Sequence, residues 1–309
     1  MLYLRFINTL PGMKKISRKE FITKTGAGIA SLGLLAGRPI KNEDSGPALN
    51  QLGNTGISVT PLCFGASRTR DEGLIRFAID RGMNFLDTGR SYARGNNERL
   101  VGRAVKGKRQ DIVIQSKMHL EPDELQYGGK GRRGYNEIID ILEKRIAESL
   151  EALDTDYIDI MLFHSADQEY LTFHEAVLEF YDKQKKEGVI RAHGFSSHDY
   201  SLGILKKNNT DKFYDIIMHA FNFKGGFTHS LSGWSADWDQ NVLIEELQKA
   251  SELGTGIVAM KTCSAGPYSI NGEDEPSYRQ AVEWVLNHDF IHSAAVAMMN
   301  YEQVRNYTT

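Results

Sequence analysis

Eight short runs of apolar and β-branched residues, at 61–66, 84–87, 111–117, 157–164, 191–196, 214–220, 256–261 and 291–298, punctuate the chain from Leu52 onward, with amphipathic stretches between them. That alternation leaves few folds open. The runs are apolar through their interiors and do not strictly alternate, which is the pattern of parallel strands covered by helices. The intervening stretches have the matching period. Ile138, Ile139, Leu142, Ile146, Leu150 and Leu153 recur every three or four residues and form one apolar stripe, while Glu143, Lys144 and Glu148 fall on the wet side. A second helix begins at Ala176, Val177, Phe180 and Tyr181 and carries Lys183, Lys185 and Lys186 toward its negative end. It stops at Gly188, the residue type best suited to a left-handed position after a helix.

Strand and helix in eight repeats predict a single (β/α)8 barrel of the TIM type. The competing open, doubly wound sheet requires a glycine-rich phosphate loop directly after its first strand. Gly129-Lys-Gly131-Arg-Arg-Gly134 has GxGxxG spacing, but it follows Leu120-Glu-Pro-Asp-Glu-Leu-Gln126, which is no strand, so it reads as a loop. Ahead of the first run, Leu52-Gly-Asn-Thr-Gly56-Ile-Ser-Val59 has the turn chemistry of a small hairpin placed to plug the bottom of the barrel. The barrel is expected over 49–309, behind a signal-like extension and linker at 1–48. Residues 301–309 supply barely two turns of the helix that should cover the eighth strand, so a truncated or short last helix is expected there.

Within the extension, the basic and polar run from Met13 leads into the small, mildly apolar segment 27–36, an order typical of an export signal. Ser17-Arg18-Lys19-Glu20-Phe21 resembles a twin-arginine signal with its second arginine changed to lysine. An exported, periplasmic location and a twin-arginine export partner follow if the signal is used; a cytoplasmic protein with a floppy N-terminal arm is the alternative. The apolar segment falls short of the ~20 residues that span a bilayer, so no transmembrane span is expected. With 37 basic against 40 acidic residues the formal charge is −3, which provides no net basic field for nucleic acid. The two cysteines, Cys63 and Cys263, cannot by themselves fill a tetrahedral zinc site, and no HExxH spacing is present, so no metal is expected.

In such a barrel, chemistry gathers where strands end at the C-terminal face. The second run ends in Asp87 with Tyr92 close behind, the third in Lys117 and the fourth in His164. Each alone has a dull explanation: a turn aspartate, a loop anchor, a solvated lysine, a core imidazole. Together, on neighbouring strands, they are expected at one rim. An Asp–Lys pair keeps the ammonium charged and aimed. A cation beside a phenol stabilises phenolate and is expected to lower the tyrosine pKa from its usual ~10. An imidazole across the pocket orients a substrate oxygen. The aromatic, glycine-rich stretch 221–238 is either a wall of a substrate pocket or a loop packed on its neighbours. His193, His198 and His219 are expected near the same face.

Leu52-Gly-x-Thr-Gly56, Asn84-Phe-Leu-Asp87-Thr, Tyr92, Glu98-Arg-Leu-Val-Gly102, Ser116-Lys117, Asp156-Tyr-Ile-Asp159-x-x-x-x-His164 and Gly188-Val-Ile-Arg191-x-x-Gly194, in that order and spacing, resemble the aldo-keto reductases from about residue 50 onward. The resemblance implies that Tyr92 is the general acid, that Asp87 and Lys117 tune it and that His164 positions the carbonyl. It also implies NADPH or NADH lying across the barrel top. The cofactor positions it implies are Ser196, Ser197, Met218, Met260, Lys261 and Asn300, and several depart from the family pattern. Ser196-Ser197 stands for a Ser-Asn pair, Met218 for a glutamine and Met260 for a stacking aromatic. Methionine packs against a ring but cannot replace amide hydrogen bonds. Arg305 is the only nearby cation expected for a cofactor phosphate. The implied activity is reduction of a small aldehyde, ketone or sugar-like carbonyl, or the reverse alcohol oxidation. A non-catalytic barrel binding a nucleotide or protein partner, and a metal-dependent barrel hydrolase, are the alternatives.

Overall fold

A computed structural model describes residues 48–120, 134–198, 202–228 and 233–308. The signal-like extension, most of its linker and residues 129–133 of the glycine-rich run lie outside them. The chain opens with β1 (Asn50–Gln51) and β2 (Ser58–Val59), an antiparallel hairpin. Then come β3 (Leu62–Gly65), β4 (Phe85–Asp87), β5 (Val113–Met118), β6 (Ile158–Phe163), β7 (Ile190–Ser197) and β8 (Ile216–Ala220). A second antiparallel hairpin, β9 (Gly226–Thr228) and β10 (Ser235–Asp237), precedes β11 (Gly256–Met260) and β12 (Ser293–Ala297). The strands β11-β12-β3-β4-β5-β6-β7-β8 close into a barrel, every pair parallel. The expected (β/α)8 barrel and its leading hairpin are both present.

The helices are α1 (Glu72–Asp80), α2 (Asn96–Ala104), α3 (Tyr135–Leu153), α4 (Glu169–Thr172), α5 (Glu175–Glu187), α6 (Leu202–Asp211), α7 (Gln240–Glu252), α8 (Tyr278–Leu286) and α9 (Tyr301–Thr308). Local chemistry sets their ends. Asp71 accepts from Gly73 N at the start of α1, and Asp239 accepts from Asn241 N and Val242 N at the start of α7, satisfying donors that a helix leaves unpaired. Gly188 ends α5 at φ 75°, the left-handed cap its position predicts.

Strand side chains alternate between two apolar layers. Inside the barrel, Phe85, Val113, Ile160, Leu162, Ile216 and Val258 pack with Leu52, Ile57 and Val59 of the leading hairpin. The hairpin thus stoppers one end of the barrel. Its turn lies so close to the residues before β11 that a Cβ on Gly53, itself at φ +56°, would come within 2.4 Å of the Gly254 carbonyl oxygen. Outside the barrel, Met161 and Phe163 face helix residues such as Leu142, Val177 and Phe180. On the same side as the hairpin, buried Asp159 accepts from Arg109, Arg191 and Ile114 N, at 2.9, 2.7 and 3.0 Å. Two motif residues, Asp159 and Arg191, are therefore accounted for by strand-end pairing. At the far end of the chain α9 packs on α1, where Tyr301 meets Phe77 edge-on at 5.2 Å and Arg81 bonds Thr308 Oγ1.

Candidate active site

The end of the barrel opposite the stopper opens into a cavity of about 1090 Å³ whose wall includes Asp87, Tyr92, Lys117 and His164. Asp87 is the last residue of β4, Lys117 lies near the end of β5 and His164 follows β6 directly. Tyr92 reaches the same place from a tight turn after β4. Immediately beyond it, Ala93, Arg94 and Gly95 all have positive φ, at 48°, 58° and 82°, which folds the chain back into α2. Side chains with a Cβ seldom adopt that backbone, and such strain gathers where geometry is over-determined. The turn is pinned by Arg90 N to Lys117 O, by the Arg90–Glu148 ion pair and by Thr88 Oγ1 to Asn97 Oδ1.

Lys117 is 1% exposed and forms an ion pair with Asp87, donates to Thr88 O at 2.7 Å and hydrogen-bonds the Tyr92 phenol. Burial alone would push the ammonium toward neutrality, but Asp87 and Tyr92 outweigh it and hold the pKa above the usual lysine value. For Tyr92 the balance differs from the sequence-based expectation. Burial raises its pKa; Lys117 pulls it back down, as expected, but not far enough, and Asp87 adds to the rise. The phenol is thus a firmly protonated donor in contact with a firmly charged ammonium. His164 faces Tyr92 edge-on, with ring centroids 5.7 Å apart. Burial, reinforced by Lys117, His119, His198 and Lys261, holds its pKa down to about 3, so the imidazole is neutral.

Beneath the tetrad sits Gln115, which the sequence reading overlooked. It is fully buried on β5, its Nε2 donating to Asp87 Oδ1 at 2.7 Å and contacting Met218 Sδ at 3.3 Å. The available signal was parity: on a strand, Gln115 shares a face with Lys117.

Of the residues singled out for a cofactor, Ser196, Met218, Met260 and Lys261 line the cavity. Ser196 Oγ and Ser197 Oγ are buried without a hydrogen-bond partner. Asn300 is exposed, does not belong to the cavity wall and caps α9 by accepting from Gln303 N at 2.9 Å. Arg305 does not line it either; its guanidinium lies over the Phe77 ring at 5.3 Å. The cations on the wall are instead Lys117 on β5, Arg279 in the first turn of α8, and Arg68 and Lys261 in the connections after β3 and β11.

Phe227, Thr228 and Trp234 line the cavity, so part of the aromatic stretch is a wall; Trp238 packs on Phe227 and donates to Gln240 Oε1. His198 lines the cavity, whereas His219 is buried outside the barrel against Trp238. His193 is not at this face. It points outward low on β7 and stacks on Phe213 at 4.7 Å, close to Asp215. Burial chiefly holds its pKa down to about 4. Between about pH 6.5 and 4 the unfolded chain therefore takes up a proton that the folded one refuses, and stability falls as pH falls through that window. The urea midpoint of His193→Phe should drop less between pH 7 and 4.5 than that of wild type, and equal acid sensitivity would refute this. Among the described residues, no three His, Cys, Asp or Glu side chains are grouped so as to hold a metal ion.

A family model described as the Aldo/keto reductase family matches residues 65–291. The chain belongs to that family. The Escherichia coli methylglyoxal reductase YeaE is 29% identical over 228 residues, 72% of either chain. The Novosphingobium aromaticivorans 6-dehydroglucose reductase is 30% identical over 168 residues, 49% of this chain and 52% of that one. An uncharacterized oxidoreductase of Bacillus subtilis, YqkF, is 32% identical over 141 residues, 44% and 42% of the two chains. The chain thus spans about half the length of the first curated relatives it matches. In structure, the holo form of an aldo-keto reductase from Bacillus halodurans superposes with a TM-score of 0.64 at 24% identity, over 84% of this chain and 89% of that one. A Klebsiella pneumoniae aldo/keto reductase solved with NADP and acetate gives 0.62 at 19% identity, over 84% and 88%. At these identities the superpositions bear on the fold.

Proposed function

We propose that this aldo-keto reductase is an NAD(P)H-dependent carbonyl reductase acting on a small aldehyde, ketone or sugar-like substrate, with Tyr92 as its general acid. The observation that carries the reading is the contact of the Tyr92 phenol with an ammonium held by Asp87, opposite a neutral imidazole, on the wall of one open cavity. Relatives named as methylglyoxal and 6-dehydroglucose reductases support the reaction class.

The residues fit a nicotinamide. The unpartnered Ser196 hydroxyl suits its carboxamide, and Met218 and Met260 give it an apolar, polarizable bed, whereas Ser197 lies on the other face of β7, off the cavity wall. When bound, the cofactor supplies hydride to the carbonyl carbon. The chain supplies the rest. Tyr92 Oη gives its proton to the carbonyl oxygen as that oxygen gains charge. The Lys117 ammonium stabilises the phenolate left behind, and Asp87 keeps Lys117 charged and aimed. Neutral His164 hydrogen-bonds the same oxygen and orients it. Kinship to an NADP-bound enzyme supports NADPH, and Arg68 and Lys261 on the wall are cations placed to meet a cofactor phosphate.

Fluorescence titration with NADPH and NADH, followed by turnover of an aldehyde panel, tests this reading. Saturable binding with turnover is expected; tight binding with no turnover of any aldehyde or sugar carbonyl would favour the non-catalytic barrel. A metal-dependent hydrolase finds no ligand set among the described residues. We also propose export by the twin-arginine route, on the strength of Ser17-Arg18-Lys19-Glu20-Phe21 alone. Cell fractionation should show wild type outside the cytoplasm and an Arg18→Gln, Lys19→Gln variant retained within it. A wholly cytoplasmic wild type would end that proposal.

A further inference from the structure

Gln115 is a costly residue for the place it occupies. It stands fully buried on the face of β5 that also carries Lys117, in the apolar interior formed by Phe85, Val113, Ile160, Leu162 and Met218. Its Oε1 has no hydrogen-bond partner there, and beyond Asp87 its Nε2 meets only the Met218 sulfur, a weak acceptor, at 3.3 Å. Leucine or methionine would serve packing better, because an unsatisfied buried carbonyl oxygen destabilises a fold. A single strong contact offsets that cost.

Gln115 lies directly opposite Asp87 in the β4–β5 ladder, and its Nε2 donates to Asp87 Oδ1 at 2.7 Å. Turning the amide over would set Oε1 against the carboxylate, so the charge fixes which way the amide points. The Lys117 ammonium forms its ion pair with the same oxygen. Two donors thus converge on Oδ1, a neutral one from deeper in the barrel and a charged one from nearer its mouth. Backbone bonds brace the arrangement: Thr88 N donates to Gln115 O and Arg90 N to Lys117 O, both at 2.9 Å. Contacts therefore run unbroken from Gln115 to Asp87, to Lys117 and to the Tyr92 hydroxyl.

We propose that Gln115 is a positioning residue for proton transfer from Tyr92, acting through Asp87. The role rests on the reductase reading above. The amide holds the plane of the carboxylate and takes up part of the charge on Oδ1. A carboxylate so shared pulls less hard on Lys117, which leaves the ammonium able to follow the phenol oxygen as that oxygen becomes charged. The Tyr92 O–H bond breaks, its electron pair stays on the phenol oxygen, and the proton passes to the carbonyl oxygen. Gln115 itself gains and loses no proton.

The probe is 4-nitrobenzaldehyde with saturating NADPH, turned over by the full chain. Gln115→Met keeps the length and removes the donor. It should lower kcat about tenfold, the scale of one hydrogen bond to a charged group, with KM and NADPH affinity within about twofold of wild type. In a Tyr92→Phe background, with no phenol proton to deliver, the same substitution should cost less than about twofold. A purely structural residue would lower both backgrounds equally. Gln115→Glu supplies a donor only while its new carboxyl is protonated, a form that burial and the Asp87 charge favour at lower pH. Its kcat should fall at least about fivefold from about pH 6 to 9, an interval over which wild type stays flat.

A kcat unchanged by Gln115→Met, or equal losses in the two backgrounds, overturns the proposal. If Gln115→Glu fails to fold, the comparison of backgrounds decides alone. Should wild type turn over no carbonyl compound, the reductase reading fails, and the urea midpoints of Gln115→Met, Asp87→Asn and the double variant decide. Non-additive shifts would keep the amide as the support of the carboxylate; additive shifts would overturn that as well.

Discussion

Asp87→Asn should destabilise the protein by about 3–5 kcal/mol, because it strands a buried ammonium without its counter-charge. The Lys117 side chain is 1% exposed and that of Asp87 6%, so water cannot take over the lost interaction. Thr88 O and the Tyr92 hydroxyl remain as partners, but they are neutral. Lys117 must then either keep an uncompensated charge or release its proton, and both are costly. The reciprocal Lys117→Met strands a carboxylate that retains one donor, Gln115 Nε2, and should cost somewhat less. The double variant removes both charges and should regain much of the loss. Urea unfolding of the four proteins closes the cycle. Additive single effects, each below about 1 kcal/mol, would mean that the pair is solvated in solution and that the site is not built as described. The double variant is useful for a second reason: it should be folded yet inactive, separating the stabilising work of the pair from its effect on the tyrosine.

The barrel was legible because hydrophobic pattern is a statement about burial. Each expected run coincides with a barrel strand to within about two residues, since a strand covered on both faces has little freedom to be polar. The tetrad was legible for a related reason. A charged or polar residue at the end of such a run, as at Asp87, Lys117 and His164, has few roles left in a barrel besides the rim. Loops carried no such constraint. The family resemblance implied Asn300, with Arg305 as the nearby cation, for a cofactor, but Arg305 rests on Phe77 and Asn300 caps its own helix, because where such side chains point depends on packing that the local sequence does not encode. His193 was misplaced for want of parity: it shares a face with Phe195 and Ser197, not with Ser196, which lines the cavity. The phenol's balance could not be read at all, since the size of a burial effect is a property of the assembled site.

Gln115 shows how the altered cradle and the retained tetrad are connected. Where the family pattern leads one to expect an amide on β8, Met218 offers only a sulfur. The amide that is present comes from β5, ties Asp87 to Met218 and leaves Gln115 Oε1 buried without a partner. A buried amide holding the carboxylate that holds the ammonium places part of the alignment of Lys117 inside the barrel, beyond reach of solvent.

Tyr92→Phe should lower the turnover of carbonyl reduction by about 10²–10⁴, the usual contribution of a positioned general acid, while leaving the fold and the cofactor affinity close to wild type. Phenylalanine keeps the ring, and with it the edge-on contact to His164 and the Lys117 ammonium 5.0 Å from the ring centroid. Only the transferable proton goes, so the loss belongs in kcat more than in Kd for NADPH. The pH profile of wild type supplies an independent check. Burial first, then Asp87, lifts the Tyr92 pKa above its usual 10 in spite of Lys117, so the donor stays protonated as pH rises. His164 sits near 3 and stays neutral as pH falls. The reduction rate should therefore be flat from about pH 6 to 9 as far as these two groups govern it, with any loss from the phenol appearing only above pH 10. A limb near pH 6.5 that vanishes in His164→Gln would show an imidazole titrating in reach of water. Phenylalanine at 92 with undiminished turnover would move the acid elsewhere, and the Lys117 ammonium beside that hydroxyl would be the group to test next.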